Sequence, residues 1–473
     1  MSFWEIEKIK SNKISIIDTN FGLEFSYNEL SYYVDELCEK LNRYPKSLIL
    51  VLTDNSAVTL MIYLAALKSN HAVMLLDFNL DPELLHSIIN DYKVNFILTS
   101  KKTNIIIGKI EEHRYDKILY YLISVFHVEE DDIFKDLKLL LSTSGSTGSA
   151  KFVKLISENL QSNAQSIVEY LNLRDDEIVI TSLPFNYSFG LSVINTHLLV
   201  GATIVFTDKS VIQKDFWEIF NKYKCSSFAG VPYTYQILQK LKFPIFELKS
   251  LKYFTQAGGH LNTETKKYFL EYAQKNNKKF IVMYGQTEAT ARISYVPFEK
   301  LAEKIDSIGI PIPGGKLKIF DNNNEITTSN IVGEIVYEGK NVMLGYAVNR
   351  QSLALGDEMC GVLKTGDLGK FDEDGFFYVT GRIKRFLKVF GNRISLDELE
   401  RILENEFKHP FAVTGIDDKI FILGEGNFNS GSVINFVSKK INIHHSVFSY
   451  KNHSIIPLKD NGKKDYEKIM ELF

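Results

Sequence analysis

Residues 142–151 read STSGSTGSAK, a run of hydroxyl residues and glycines that starts directly after Leu139, Leu140 and Leu141 and closes on a lysine. Glycine admits backbone angles that let successive N–H groups converge on one point, and each Ser or Thr adds a hydroxyl donor. Such a stretch describes either an oxyanion cradle or a solvated Gly/Ser linker. The common nucleotide loop needs four residues between its glycines and a hydroxyl residue directly after the lysine. Here Gly145 and Gly148 are three positions apart and Phe152 follows Lys151, so a phosphate held here is held in another fold.

Composition bounds the possibilities. The 473 residues exceed one ordinary core and imply two or more domains, with 45% hydrophobic residues to fill them. A net charge of −3, with lysines and acidic residues intermixed, leaves no basic stripe for nucleic acid. Cys38, Cys225 and Cys360 are too scattered for a metal cluster and too few for a disulfide framework, which suits a reducing compartment. No apolar run reaches the roughly 18 residues of a membrane span. The opening MSFWEIEKIK lacks the apolar centre of a signal peptide, and a cytoplasmic location is expected.

Strand-like and helix-like stretches alternate over the first hundred residues: SLILVL at 47–52, the helical TLMIYLAALKSN at 59–70, AVMLL at 72–76, then LHSIIND and FILTS. This alternation predicts a parallel α/β sheet. It recurs between about 155 and 285 in EIVITSLP, ATIVFTD, SFAGVP and KFIVMYG, whose strands end on Gly, Pro or Ser, where open α/β sheets carry their sites. From 305 to 380 short glycine-rich strands such as GKLKIFD, GEIVYEG and GFFYVTG predict a small antiparallel β unit. The basic segment after Gly381 marks a break before a helix and a mixed tail.

Four further stretches bear chemistry. MYGQTEAT at 283–290 ends a strand on Tyr284, Thr287 and Glu288. One carboxylate suffices for magnesium when phosphates and waters complete its shell, and an aromatic offers a face to a purine. LKTGDLG at 363–369 places Asp367 in a glycine-flanked turn, either as an Asx-turn or as an acceptor for two ribose hydroxyls. GRIKRFLKVFGNRISLDELE at 381–400 is basic where two domains would meet, as a solvated face or a hinge. PLKDNGKKDY at 457–466 sets Lys463 after a tight Asn-Gly turn.

In this order and spacing the stretches resemble the adenylate-forming superfamily of acyl- and aryl-CoA synthetases, luciferases and peptide-synthetase adenylation domains. The resemblance runs from FSYNEL at 25–30, through the LAALKSNHAVMLLD stretch ending at Asp77, to the C-terminal lysine turn. It implies an α/β fold with a large N-terminal domain over 1–383, built of two α/β layered subdomains and a small β-barrel-like unit, and a small mobile α+β domain over 384–473. It implies that Thr143, Ser144, Gly145, Ser146, Thr147, Gly148 and Lys151 close over the β- and γ-phosphates of ATP, although Ala150 and Phe152 stand where the family usually has Pro and Gly. Tyr284 then stacks near adenine, Thr287 contacts the α-phosphate and Glu288 holds Mg2+. Gly258 and Gly259 pass close to adenine and the acyl pocket. Asp367 holds the ribose with Arg382 assisting. Lys384 stands at the hinge, Lys463 serves adenylation, and the strand from Lys388 to Gly391 serves thiol attack.

Relatives that activate amino acids carry an aspartate after the LP turn, whereas LPFNYSFGLSVI at 183–194 has no acidic residue to pair with a substrate ammonium. Tyr187, Phe189, Phe228, Val231 and Tyr233 are the candidate acyl-pocket residues, and their aromatic character suggests an apolar or aromatic acid. The implied partners are a carboxylic acid and a thiol, either coenzyme A or a separate carrier protein. An amino-acid-activating enzyme and a silent nucleotide-binding scaffold are the alternatives.

Overall fold

The computed structural model describes residues 2–9, 11–103, 108–126, 133–142, 151–243, 247–383, 385–389, 392–441, 443–459 and 462–473. Leu139, Leu140 and Leu141 lie in the strand Leu137–Ser142, inside an eight-stranded sheet. Across that sheet the strands follow the order Gly345–Ala347, Phe152–Ile156, Leu137–Ser142, Ala72–Asp77, Leu48–Thr53, Phe96–Thr99, Ile118–Ser124, Lys109–Tyr115. The βαβ pattern of the first hundred residues gives the parallel pairs, with Leu75 opposite Leu141 and Val51 opposite Leu75. Leu137–Ser142 pairs antiparallel with Phe152–Ile156, and Ser142 faces Phe152, so the two ends of the Ser/Gly stretch are neighbours.

A nine-stranded sheet is centred on the parallel strands Lys279–Tyr284, Tyr253–Gln256, Ser227–Gly230, Ile178–Ile180 and Thr203–Phe206. The N-terminal strand Ile14–Asp18 joins this second sheet, parallel to Thr203–Phe206, rather than the sheet formed by its sequence neighbours. Between the two sheets lies the largest core, which draws Ile49, Val73 and Leu139 from one and Ile16, Ile204 and Phe206 from the other. The helix Ala57–Lys68 runs through that core with every residue from Ala57 to Leu67 buried. A helix apolar on all sides is stable only when enclosed on all sides, and each large side chain buried contributes roughly 1.5–3 kcal/mol. The helix Tyr27–Leu41 begins on a reciprocal cap in which Ser26 accepts from the Glu29 backbone and Glu29 accepts from the Ser26 backbone, the physical content of FSYNEL.

The glycine-rich segment forms a five-stranded antiparallel sheet in the order Asn324–Ile326, Lys316–Asp321, Gly333–Glu338, Val362–Phe371, Phe377–Arg382. It is open, not barrel-like: the outer strands are not paired with each other, so the strand order ends at two edges. Beyond it, Leu396–Phe407, Ser430–Ile441 and Tyr466–Glu471 pack on the three strands Phe411–Ile416, Lys419–Glu425 and Phe448–His453. Two core clusters there draw only on residues from Leu387 onward. The seam with the rest of the chain is crossed by the exposed ion pairs Lys240–Glu425 and Lys408–Glu264 and by Arg401, which donates to the Thr380 carbonyl at 2.9 Å.

Candidate active site

Asp367 is the hub. It sits in Val362–Phe371 directly opposite Arg382 of Phe377–Arg382 and is only 3% exposed. Its Oδ1 accepts from Arg382 Nε at 3.1 Å, and its Oδ2 accepts from the Tyr284 hydroxyl and from Gln286 Nε2 at 2.9 Å. Gln286 Nε2 also donates to the Thr365 carbonyl at 3.0 Å. Burial first, then the Asp367 charge, pushes the Tyr284 phenol well above its usual range, so it remains a donor. A carboxylate has about four acceptor positions, and three are filled here. One further hydroxyl can be accepted as it stands, and a second requires Arg382, whose side chain is more than half exposed, to move aside.

The backbone after Tyr284 is tightly held. Thr287–Ala289 form a single 3-10 turn, and Thr290 (φ 56) and Ala291 (φ 113) follow in left-handed conformations. Two consecutive non-glycine residues of this kind persist only where the surroundings over-determine them. Asn341 does so: its Nδ2 donates to the carbonyls of Ala289 and Arg292, each at 2.8 Å, while its own carbonyl accepts from Thr290 Oγ1 at 2.6 Å. Thr287 is thereby presented to Ser188, with the two hydroxyl oxygens 3.1 Å apart. Glu288 Oε1 accepts from the Tyr346 hydroxyl at 2.8 Å, and Lys151 Nζ stands 3.2 Å from the centroid of the same ring. The lysine that closes the opening stretch and the carboxylate of MYGQTEAT thus meet at one tyrosine. No cluster of three or more metal-ligating side chains occurs among the described residues.

Lys463 reaches this site from the far end of the chain. Its turn is closed by Gly462 N donating to the Lys459 carbonyl and Lys459 N donating to the Lys463 carbonyl, both at 2.8 Å. Gly462 has φ +76, and a Cβ there would lie 3.1 Å from Val231, so the turn is seated on the segment after Ser227–Gly230. Burial, and next the Arg382 guanidinium, hold the Lys463 ammonium below the usual lysine range, while Glu288 and Asp367 pull it up. One side chain thus feels both acids that the sequence singles out.

The acyl-pocket candidates divide. Tyr187, Phe189 and Val231 share an apolar cluster with Ala229, Ala257 and Met283. The Tyr187 hydroxyl lies where a Cβ on Gly258 (φ +84) would sit, 2.5 Å away, and Gly259 abuts Pro232. Phe228 borders the pocket, but its ring stacks on Phe254 and packs against Trp217, Phe220, Tyr235 and Phe243 on the opposite face of the sheet. Strand alternation turns Ser227 and Ala229 toward the pocket in its place. Tyr233 is 40% exposed and lies by Gly462, at the seam and not in the pocket. Thr143, Ser144, Gly145, Ser146, Thr147, Gly148, Lys384 and Gly391 lie outside the described residues, as does the side chain of Lys388, whose backbone is in the strand Phe386–Val389. Three residues enter the site without having been anticipated: Gln286, Tyr346 and Arg292. Gln286 and Arg292 flank the expected Thr287 and Glu288, whereas nothing in the sequence around Tyr346 distinguishes it.

The residue pattern and the fold both have counterparts. A family model described as AMP-binding enzyme matches residues 3–347. Luciferin 4-monooxygenase of Nipponoluciola cruciata is 28% identical over 307 residues, 63% of this chain and 54% of that protein. The probable 4-coumarate–CoA ligase 2 of Dictyostelium discoideum is 30% identical over 289 residues, 59% of this chain and 50% of that protein. The chain thus spans about half the length of the curated relatives it matches. Among solved structures, o-succinylbenzoate CoA synthetase from Bacillus subtilis in complex with its acyl-adenylate intermediate superposes with a TM-score of 0.80 at 22% identity, covering 98% of this chain and 97% of that one. ATP-bound MatB from Rhodopseudomonas palustris gives 0.79 at 20% identity, covering 100% and 99%. Identities this low speak for a common fold, while the family match covers most of the sequence and takes in both the Ser/Gly stretch and Glu288. The chain belongs to the AMP-binding enzymes of the adenylate-forming superfamily.

Proposed function

We propose that the protein activates a carboxylic acid with ATP and then transfers the acyl group to a thiol, either coenzyme A or the phosphopantetheine of a separate carrier protein. In the first step a carboxylate oxygen of the acid attacks the α-phosphorus, the bond to the bridging oxygen breaks, and acyl-AMP and pyrophosphate result. In the second the thiol sulfur attacks the acyl carbon, AMP leaves with the bonding pair, and the thiol proton passes to solvent. The observation that carries this reading is the convergence of Lys463, Glu288 and Asp367 from three separate parts of the chain. Charge accumulates on the α-phosphate during attack, and a pre-positioned ammonium stabilises it at no reorganisation cost.

The remaining residues take roles that their geometry allows. Thr287, with its hydroxyl beside that of Ser188, donates to the α-phosphate. The loop 143–148 and Lys151 hold the outer phosphates. Asp367 takes the ribose hydroxyls as Arg382 swings away, Tyr284 lies along the adenine, and Gly258 and Gly259 admit adenine and acyl group without a side chain in the way. Glu288 fits Mg2+ as a hard oxygen donor, since its Oε2 accepts no hydrogen bond among the described residues; the bound ion would neutralise phosphate charge. The unit 384–473 turns about Lys384, withdrawing Lys463 and bringing Lys388 to Gly391 to the thiol path. A screen of carboxylic acids for ATP-dependent pyrophosphate exchange, repeated with coenzyme A and with carrier protein, tests the scheme. Exchange with a simple acid is expected, and exchange with amino acids alone would overturn it.

A further inference from the structure

A small internal pocket lies between the second sheet and the helices Ser157–Leu171 and Ser188–Leu199, with Arg292 among its lining residues. Its walls connect it to the site: Met283 immediately precedes Tyr284, Ala229 precedes Gly230 and Val231, and Ser192 and Val193 lie on the helix that begins at Ser188. Leu171, Val193, Ala229 and Met283 make much of it apolar, and no Asp or Glu lines it. Against this wall stands Arg292, 2% exposed, delivered by the strained Thr290–Ala291 pair.

A buried guanidinium is ordinarily matched by a carboxylate, because an uncompensated charge in an apolar interior is costly. Among the described residues Arg292 has no such partner. Its guanidinium carbon lies 4.0 Å from the centroid of Phe189, Nη1 makes a long 3.4 Å contact to the Ala291 carbonyl, and the Tyr170 hydroxyl, a neutral group, is its side-chain hydrogen-bond partner. Its Nε is buried with no acceptor at all. His197, the other ionisable base on the wall, is held neutral by burial, which pushes it down to about 4. Among the described residues the wall therefore carries one cation with an unspent Nε donor and no carboxylate to balance it.

We infer that Arg292 is a subsite for a second anionic group on the acid being activated, so that the substrate is a small dicarboxylic acid, one carboxylate meeting Lys463 and Thr287 while the other completes Arg292. The inference rests on the acid-activating reading above. It replaces the apolar or aromatic acid that the sequence suggests, and it disfavours amino acids, whose ammonium would meet a cation without a carboxylate on the wall.

Matched acids of equal carbon number, butanoate with butanedioate and hexanoate with hexanedioate, are compared by pyrophosphate exchange in the wild type, Arg292→Gln and Arg292→Lys, with folding checked by circular dichroism. A site built to bond a polar group rejects analogues lacking it by large factors. The wild type is expected to favour at least one diacid over its monoacid partner by 100-fold or more in kcat/KM, Arg292→Gln to lose at least tenfold of that preference, and Arg292→Lys to retain part of it. Equal use of mono- and diacids, or a preference unmoved in Arg292→Gln, would overturn the subsite. Each acid is also titrated without ATP while Tm is followed. A diacid-specific rise in the wild type that is absent from Arg292→Gln supports the subsite even if no acid supports exchange, a result that would instead refute the ligase reading. Absence of any diacid-specific effect in both assays refutes the subsite.

Discussion

Lys463 and Lys464 are consecutive in the chain and opposite in situation. Lys464 Nζ donates to Glu400 Oε2 at 2.8 Å, to Glu404 Oε1 at 2.9 Å and to the Phe411 carbonyl at 2.5 Å. Glu400 also accepts from Arg385 and from the Tyr466 hydroxyl, and the Arg385 guanidinium lies over the Tyr466 ring. Burial opposes the charge on Lys464, but Glu400 and Glu404 outweigh it and raise its pKa. Lys463, one residue earlier, feels the charges of Glu288 and Asp367, while burial, and next the Arg382 guanidinium, hold it below the usual lysine range. The second lysine is built into the interior of the C-terminal unit, while the first lies in the field of the two acids of the candidate site, so the two neighbours test stability and the proposed chemistry separately.

The sharpest way to break that division is Glu400→Gln, which leaves the buried cations Lys464 and Arg385 without their shared anion. Removal of one partner from a buried pair costs about 3–5 kcal/mol, so urea denaturation should show a loss of that size in the C-terminal unit. Its acid dependence follows from the same residue. Burial alone would raise the Glu400 pKa, but Lys464 and Arg385 bring it below the usual value. The stability it confers is therefore present above the unfolded glutamate pKa of about 4.3 and is lost as pH falls through the depressed folded value. Glu400→Gln should erase that part of the acid profile.

Lys463→Ala should do the reverse. Loss of one pre-positioned donor typically costs about 10²–10³ in rate, and that loss is expected in pyrophosphate exchange, with unfolding free energy changed by no more than about 0.5 kcal/mol. Thiolation of chemically supplied acyl-AMP should persist to a large extent, and equal loss of both half-reactions in a folded protein would contradict the two-pose scheme. A smaller effect is expected in the pH profile. Lys463 acts as an ammonium with a lowered pKa, so adenylation should decline with rising pH before the ordinary lysine value of about 10.4 is reached. Lys463→Arg should displace that limb upward. Smallest of all, Gly462→Ala places a side chain at φ +76 against Val231, and should slow adenylation while costing about 1 kcal/mol or less in stability.

The fold was legible wherever local pattern and global position agree. SLILVL and AVMLL read as strands of a parallel sheet, and they pair in parallel, with Val51 opposite Leu75. FSYNEL read as part of the family pattern, and it folds as a reciprocal helix cap. What failed depended on facts that sequence does not carry. Phe228 shows the difficulty: period-two alternation gives two faces without saying which is the pocket, and its ring joins the aromatic cluster around Trp217 while the residue still borders the pocket beside Ser227 and Ala229. Closure of the glycine-rich sheet depends on whether its outer strands meet, which short strands alone do not decide. Nothing in the residue pattern marks Arg292, four positions after Glu288; the left-handed pair before it and the enclosing helices make it a buried cation.

The seam described above has its own consequence. Lys240–Glu425 and Lys408–Glu264 are solvent-exposed pairs, of the kind that add little and fade within about 8 Å at physiological ionic strength. Neither core cluster of the C-terminal unit extends across to the body of the protein. Dissolved electrolyte should therefore weaken these two bridges first, while leaving the apolar interiors on either side undisturbed.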